Sequence, residues 1–167
     1  MRHSTVSKDL GFTLTESLIV LAIVGILIAM AIPSTIAAID RAKLAQATDL
    51  VTASLQQAQR EAIRRNRSCT LTLDKTNRKI VGQEGCILTG DRILPEPIDL
   101  DYTGASDSIE YGIRGNTTTN KTILLEVRNS PYIRCLTVSA PLGIIRVGTY
   151  DRAASACRNL RLMGSEQ

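Results

Sequence analysis

One carboxylate, Glu16, stands near the start of the most apolar stretch of the chain, Gly11 to Pro33, which reads GFTLTESLIVLAIVGILIAMAIP. An acid on a membrane-spanning helix costs about 2.5 to 3.5 kcal/mol on insertion scales, and it marks a functional site when a cationic partner can be named. Lys and Arg are absent between Gly11 and Asp40. We therefore expect the partner of Glu16 to come from another chain or from a newly made N-terminus.

The four cysteines, Cys69, Cys86, Cys135 and Cys157, contain no C-x-x-C pair, and the one histidine, His3, lies near the N-terminus. A zinc site is therefore not expected. Four cysteines allow three disulfide connectivities, and four free thiols are the alternative. We favour Cys69 with Cys86 and Cys135 with Cys157, because each bridge closes a short loop worth roughly 3 kcal/mol in the chain-entropy model.

Asp99 and Asp101 would share one face of a strand, but the sequence places no base, metal ligand or oxyanion donor beside them. No glycine-rich phosphate loop is present either. We predict that the chain is not an enzyme and holds no cofactor or metal. A net charge of +4 and an aromatic content of 3 % do not by themselves indicate a nucleic-acid binder.

The elements that position Glu16 begin with an uncharged run of 23 residues, Ser17 to Ile39. As a helix this run is roughly 34 Å long, enough to cross a hydrocarbon core of about 30 Å. Basic residues before the run favour a cytoplasmic N-terminus and an exported remainder. A cleaved secretory signal with the small-x-small site at 29–31 is the alternative, but Glu16 and the apolar pattern continuing to Ile39 argue against it.

Beyond the run, apolar and small residues recur at spacings of three and four and form one helical stripe: Leu44, Thr48, Val51, Leu55, Ala58 and Ala62. The spacing predicts one long helix over about 12–66, which Pro33 should bend or loosen. A basic cluster at its end complements the helix dipole, with Asn66 as the cap, and an anion or DNA site is the alternative interpretation of it: Arg60, Arg64, Arg65 and Arg67.

After Cys69 the pattern changes to short β-type runs separated by turn residues, among them CTLTL, IDLDY, SIEYGI, TILLEV, RCLTV and GIIRVG. We predict seven or eight strands in one or two antiparallel sheets that cover the stripe of the helix. The fold class is therefore α+β, a long N-terminal helix packed on a C-terminal antiparallel β-sheet domain.

The stretch from Gly11 to Pro33 resembles the N-terminal signature of type IV pilins and of type II secretion pseudopilins. The resemblance implies that a prepilin peptidase cuts between Gly11 and Phe12 and methylates Phe12. Glu16 is then the fifth mature residue, which directs assembly, and Pro33 marks the family's helix kink. Thr15 and Ser17 depart from the aliphatic residues usual in the family.

The resemblance implies a leader at 1–11, a transmembrane and assembly helix at 12–39, an amphipathic helix at 40–67 and an exported β-rich domain at 68–167. The segments NKTILLEV and SAPLGIIRVG are similar to the minor-pilin group that includes FimT, FimU and the pseudopilin GspH. The Cys135–Cys157 bridge would resemble the C-terminal disulfide loop of pilins.

The function implied by the resemblance is that of a minor pilin or pseudopilin that assembles into, or primes, a fibre. Its partners would be the prepilin peptidase, other major and minor pilins or pseudopilins, and the inner-membrane assembly platform. The chain would be held in the inner membrane, with its N-terminus cytoplasmic and its C-terminal domain periplasmic, before it enters the pilus or pseudopilus.

Two alternatives remain: a pilus-tip receptor for DNA or a surface, and an anchored domain that never polymerises. DNA-binding relatives resembling FimT carry a Gly-Arg-x-Arg motif, of which Gly143 to Arg146 retains only the second arginine. The candidate DNA-binding residues are Arg146, Arg152, Arg158 and Arg161, and a solvated basic face is the other interpretation of them.

Overall fold

The computed structural model describes residues 13–88 and 90–162, so Gly11 and Phe12, the predicted cleavage junction, lie outside the described residues. The chain forms two compact units, Met1–Ala38 and Ile39–Gln167. One helix, α1 (Leu14–Arg65), contributes residues to both, close to the predicted bounds.

The helix begins where a threonine caps it. The Oγ1 atom of Thr13 accepts a hydrogen bond of 3.3 Å from the backbone N–H of Glu16, as expected for the capping sequence T-x-x-E. A carboxylate in the first turn is also favoured by the helix dipole. The helical backbone continues through Pro33, whose side chain lies outside the described part, and the bend expected there stays a prediction.

Within residues 13–88 and 90–162, no helical segment combines the length and the apolar character that a membrane crossing would require.

The second half of α1 buries the predicted stripe. Its six members are each 3 % exposed or less, and Ala47, Thr52 and Ser54 are buried beside them. The hydroxyls of Thr48 and Thr52 donate to the carbonyls of Leu44 and Thr48, one turn earlier, so these polar groups are satisfied within the helix.

The end of α1 is closed by a left-handed residue. Asn66 has φ of 51° and its N–H donates to the carbonyl of Ile63, while the N–H of Arg67 donates to that of Ala62. These two bonds form the Schellman pattern, in which asparagine is the usual substitute for glycine. The cap predicted at Asn66 is confirmed.

Nine strands lie in the described part of the chain, in two sheets with antiparallel pairing throughout. The first sheet has the order β3-β2-β1-β5, with β1 at Cys69–Asp74, β2 at Lys79–Gly82, β3 at Arg92–Ile93 and β5 at Ser108–Tyr111. The second has the order β4-β6-β7-β8-β9, with β4 at Ile98–Tyr102, β6 at Lys121–Val127, β7 at Ile133–Ser139, β8 at Ile144–Asp151 and β9 at Ala156–Leu162. The predicted α+β class is confirmed.

A single core joins the stripe of α1 to both sheets. Leu71 and Tyr111 of the first sheet and Leu125 and Leu136 of the second are fully buried in the same cluster as Leu55 of the helix. A fully buried leucine or isoleucine side chain contributes about 1.5 to 3 kcal/mol relative to an exposed one. The core therefore holds the sheets in place around the helix stripe.

Three strands were not among the runs identified in the sequence. β2 and β3 have four and two residues, too short for an alternation to be recognised. β9 carries Arg158, Asn159 and Arg161 and has no apolar alternation. It forms because its backbone pairs with the outer side of β8, where a bulge lies between Val147 and Thr149.

Candidate assembly site and predicted basic surface

Glu16 lies in the first turn of α1 among short hydroxyl side chains. The Thr13 and Thr15 hydroxyls are 3.1 Å apart, and the Ser17 hydroxyl donates to the Thr13 carbonyl at 3.4 Å. Glu16 is exposed, and within the described residues it makes no ion pair. The carboxylate is therefore available to a cation supplied from outside this part of the chain.

The turns of α1 that follow Glu16 are exposed on every side. Their large apolar side chains are between 42 % and 67 % exposed from Leu18 to Ile28. A helix that is apolar all round must be covered by lipid or by other protein. The acid thus stands at the start of a continuous exposed apolar surface.

Two arginines at the C-terminal end of α1 form ion pairs with the same carboxylate. Glu61, whose side chain is 8 % exposed, accepts from Arg64 at 2.6 Å and from Arg65 at 2.9 Å. Hydrogen bonds from Arg64, and then from Arg65, hold the pKa of the Glu61 carboxyl below its ordinary value. These contacts give Arg64 and Arg65 a structural role at the helix end.

The four candidate DNA-binding arginines all lie on β8, β9 or the turn between them, but they do not form one free cluster. Arg152 bonds to Glu126 of β6, and the Nε atom of Arg158 lies 2.9 Å from Asp151. Each of these arginines is therefore neutralised locally.

The other two arginines lie on opposite faces of the second sheet. Arg161 pairs with Val147, which packs toward the core, whereas Arg146 is one residue before Val147 and is directed to the other face. Within the described residues neither makes an ion pair. A duplex lying on one face would meet only one of them, which weakens the case for a shared phosphate-binding surface.

The paired aspartates have basic neighbours. Asp99 accepts from Arg128 at 2.7 Å, and Asp101 lies 2.5 Å from the Lys75 ammonium. Hydrogen bonding from Lys75 lowers the pKa of the Asp101 carboxyl. Among the described residues, no three His, Cys, Asp or Glu side chains are grouped as they would be around a metal ion.

The cysteines form two disulfides, Cys69 with Cys86 and Cys135 with Cys157, the pairs that the loop lengths favoured. Their Cα atoms are 5.5 and 6.1 Å apart, within the usual range for a bridge. The first joins β1 to the end of the 3-10 turn Gln83–Gly85, and the second joins β7 to the edge strand β9.

One group of residues was missed by sequence reasoning. Arg41 of α1 donates to the Tyr132 hydroxyl at 2.6 Å, and Arg134 lines the same groove from β7. The only sequence signal was the position of Arg41 just beyond the uncharged run, because its partner is 91 residues away.

Two family models match the sequence. Residues 47–142, more than half of the chain, match the model described as type II transport protein GspH, and residues 6–32 match the prokaryotic N-terminal methylation motif. No protein with a curated function gives a significant sequence match.

A solved minor pilin has a similar fold. The type IV minor pilin FimU of Pseudomonas aeruginosa superposes with a TM-score of 0.53 at 17 % identity, over 72 % of this chain and 96 % of that one. The minor pseudopilin EpsH from the type 2 secretion system of Vibrio cholerae gives a TM-score of 0.48 at 15 % identity, over 61 % of this chain and 94 % of its own.

Proposed function

Since the chain belongs to the GspH family of minor pilins and pseudopilins, we propose that it is a minor subunit assembled into, or priming, a pilus or pseudopilus fibre through its N-terminal helix. A prepilin peptidase cuts between Gly11 and Phe12 and methylates Phe12, within the matched methylation motif. The role is structural, without catalysis or cofactor.

One observation carries this proposal: Glu16 is exposed and unpaired within the described residues, at the start of a helix that is apolar all round. Cleavage creates an α-amino group on Phe12 that is mostly cationic near neutral pH. When subunits leave the bilayer together, the amine of one chain neutralises Glu16 of its neighbour. Each charge then offsets the desolvation of the other, and an axial slip would leave both unpaired.

The capping geometry is compatible with this role, because Thr13 caps the helix through the backbone N–H of Glu16 and not through its carboxylate. The division proposed for the chain is a leader at 1–11, a membrane and assembly helix at 12–39 with its kink at Pro33, an amphipathic helix at 40–67 and a periplasmic domain at 68–167. The assembly platform and other pilins or pseudopilins are the partners.

Mass spectrometry of the N-terminus of the native protein tests the processing step. We expect a chain that begins with methylated Phe12. A native protein beginning at Met1 or Ile32 would contradict the proposal, because the amine that pairs with Glu16 would not exist.

The assembly step is tested by Glu16→Gln, which keeps a residue suited to the capping box and removes only the charge. Asp49→Asn is the matched control, because Asp49 is an exposed acid on the same helix. We expect Glu16→Gln to lower the amount of the chain in the fibre fraction severalfold, with membrane level and Phe12 methylation unchanged. Equal fibre fractions for both variants would refute the pairing.

Capture of DNA by the C-terminal arginines is less well supported, because two of the four are paired with carboxylates. Joint replacement of Arg146, Arg158 and Arg161 should leave DNA retention unchanged on the present proposal. A salt-dependent loss of retention would favour the receptor function instead. Fibre fractionation also separates the proposal from an anchored domain that never polymerises.

A further inference from the structure

A groove of about 330 Å³ opens on the globular unit beside the first turn of α1 within that unit. Its size falls at the lower end of the range of about 300 to 1,000 Å³ typical of small-ligand sites. The lining residues that matter here come from α1, from the residue before β7, and from β7 and β8: Arg41, Leu44, Tyr132, Arg134, Thr149 and Tyr150.

The groove presents two arginines on an aromatic wall. The Arg41 guanidinium stacks over the Tyr132 ring, with its carbon 4.7 Å from the ring centroid, and it donates to the Tyr132 hydroxyl at 2.6 Å. Arg134 is half-buried and pairs in register with Thr149, which places a hydroxyl beside it. Stacking holds one guanidinium in place, which reduces the entropy lost when it binds an anion.

The positive charge in the groove is not neutralised by the described part of the chain. None of the lining residues is acidic, and neither Arg41 nor Arg134 makes an ion pair within residues 13–88 and 90–162. Four of the five N–H groups of Arg41 remain after its bond to Tyr132. The guanidinium groups of Arg41 and Arg134, together with the Thr149 hydroxyl, offer hydrogen-bond donors suited to the oxygens of a phosphodiester.

The position of Arg41 indicates where this phosphodiester comes from. Arg41 follows Ile39, the last residue of the uncharged run, by two positions, or about 3 Å of helix. Tyrosine collects at membrane–water interfaces, and a basic side chain close to a membrane surface attracts anionic headgroups. Both features meet in this groove.

We propose that the groove between Arg41, Tyr132 and Arg134 binds the headgroup phosphodiester of an anionic phospholipid while the subunit is in the membrane, before assembly. The inference rests on the proposed function, since it needs residues 12–39 to lie in a bilayer. Extraction into a fibre would remove the lipid, so the contact would hold the globular unit at the membrane surface until assembly begins.

The test uses the full chain in detergent micelles, incubated with dihexanoyl phosphatidylglycerol, with bound lipid counted by native mass spectrometry. The variants are Arg134→Gln, which breaks no described hydrogen bond, and Arg41→Gln with Arg134→Gln. The matched controls are Arg60→Gln on the same helix and Arg146→Gln on the adjacent strand, and neither lines the groove.

We expect each groove arginine removed to weaken lipid retention about fivefold, and both together about 30-fold, with the controls unchanged. Equal retention in groove and control variants would overturn the inference. Equal binding of dihexanoyl phosphatidylcholine would overturn it too, because the acyl chains and not the anionic charge would then hold the lipid.

Inorganic phosphate at the same concentration should not displace the lipid. If it does, the groove takes free phosphate and the lipid assignment is wrong. A photo-cross-linking residue placed at position 134 that captures another pilin in membranes, with no lipid retained by the native chain, would also overturn it. Mass spectrometry of the same samples also identifies the N-terminal residue. If Phe12 is methylated and the variants retain lipid as the native chain does, the lipid site is wrong and the proposed function stands. If the chain begins at Met1, the proposed function is wrong.

Discussion

The Cys135–Cys157 disulfide ties the edge strand β9 to a buried strand two positions away in the sheet. Cys135 is fully buried in β7, whereas Arg158, Leu160 and Arg161 of β9 are exposed. Because β9 buries little apolar surface, its attachment depends on the ladder to β8 and on this bridge. Replacing both cysteines with alanine should therefore loosen β9 before it affects the core.

The magnitude follows from the loop that the bridge closes. The sequence separation is 22 for Cys135–Cys157 and 17 for Cys69–Cys86. In the chain-entropy model these loops correspond to about 3.4 and about 3.1 kcal/mol of the free energy of unfolding. The two double-alanine variants should thus lose nearly equal global stability, which makes the second a matched control for local effects.

Hydrogen exchange of the full chain in detergent micelles, read by mass spectrometry, separates the local effect from the global one. Peptides covering Ala156–Leu162 should exchange faster in the Cys135→Ala, Cys157→Ala variant than in the Cys69→Ala, Cys86→Ala variant. The reasoning is refuted if β9 is equally protected in both, or if losing the bridge lowers the free energy of unfolding by less than about 1 kcal/mol.

Three further predictions concern α1. Leu55→Ala removes a fully buried side chain and should lower the free energy of unfolding by about 2 to 5 kcal/mol. Ile63→Ala, at a position that is 53 % exposed, should lower it by less than about 1 kcal/mol. Chemical denaturation measures both losses, and equal losses would show that the stripe is not the core. Asn66→Ala should destabilise the protein by about 1 kcal/mol and Asn66→Gly should not, because the φ of 51° at this position is easier for glycine than for alanine. Thermal melts that show the opposite order would contradict the cap. Folding lowers the pKa of Glu61, so the ionised carboxylate stabilises the folded state above the ordinary pKa of 4.5, and this contribution is lost as the pH falls through the lowered pKa. Glu61→Gln should flatten this part of a plot of stability against pH. An unchanged plot would argue against the pairing with Arg64 and Arg65.

The helix, its buried stripe and its C-terminal cap were predictable because each depends on residues within a few positions of one another. Three- and four-residue spacings from Leu44 to Ala62 define one helical face whatever packs on it. An asparagine beyond the last turn supplies the left-handed residue of the cap. The apolar stretch with Glu16 and the Gly11–Phe12 junction was likewise a local pattern, and it led to the family that the comparisons show.

The ladder partners of the edge strand and the surroundings of each arginine depended on tertiary structure. β9 has no alternation of its own and takes its place at the sheet edge by pairing with β8. Arg152 is neutralised by an acid 26 residues away, and Arg41 meets Tyr132 over 91 residues. A charged side chain shows its type in the sequence, but its partners are set by which strands the core brings together, and local spacing carries no information about contacts at that distance.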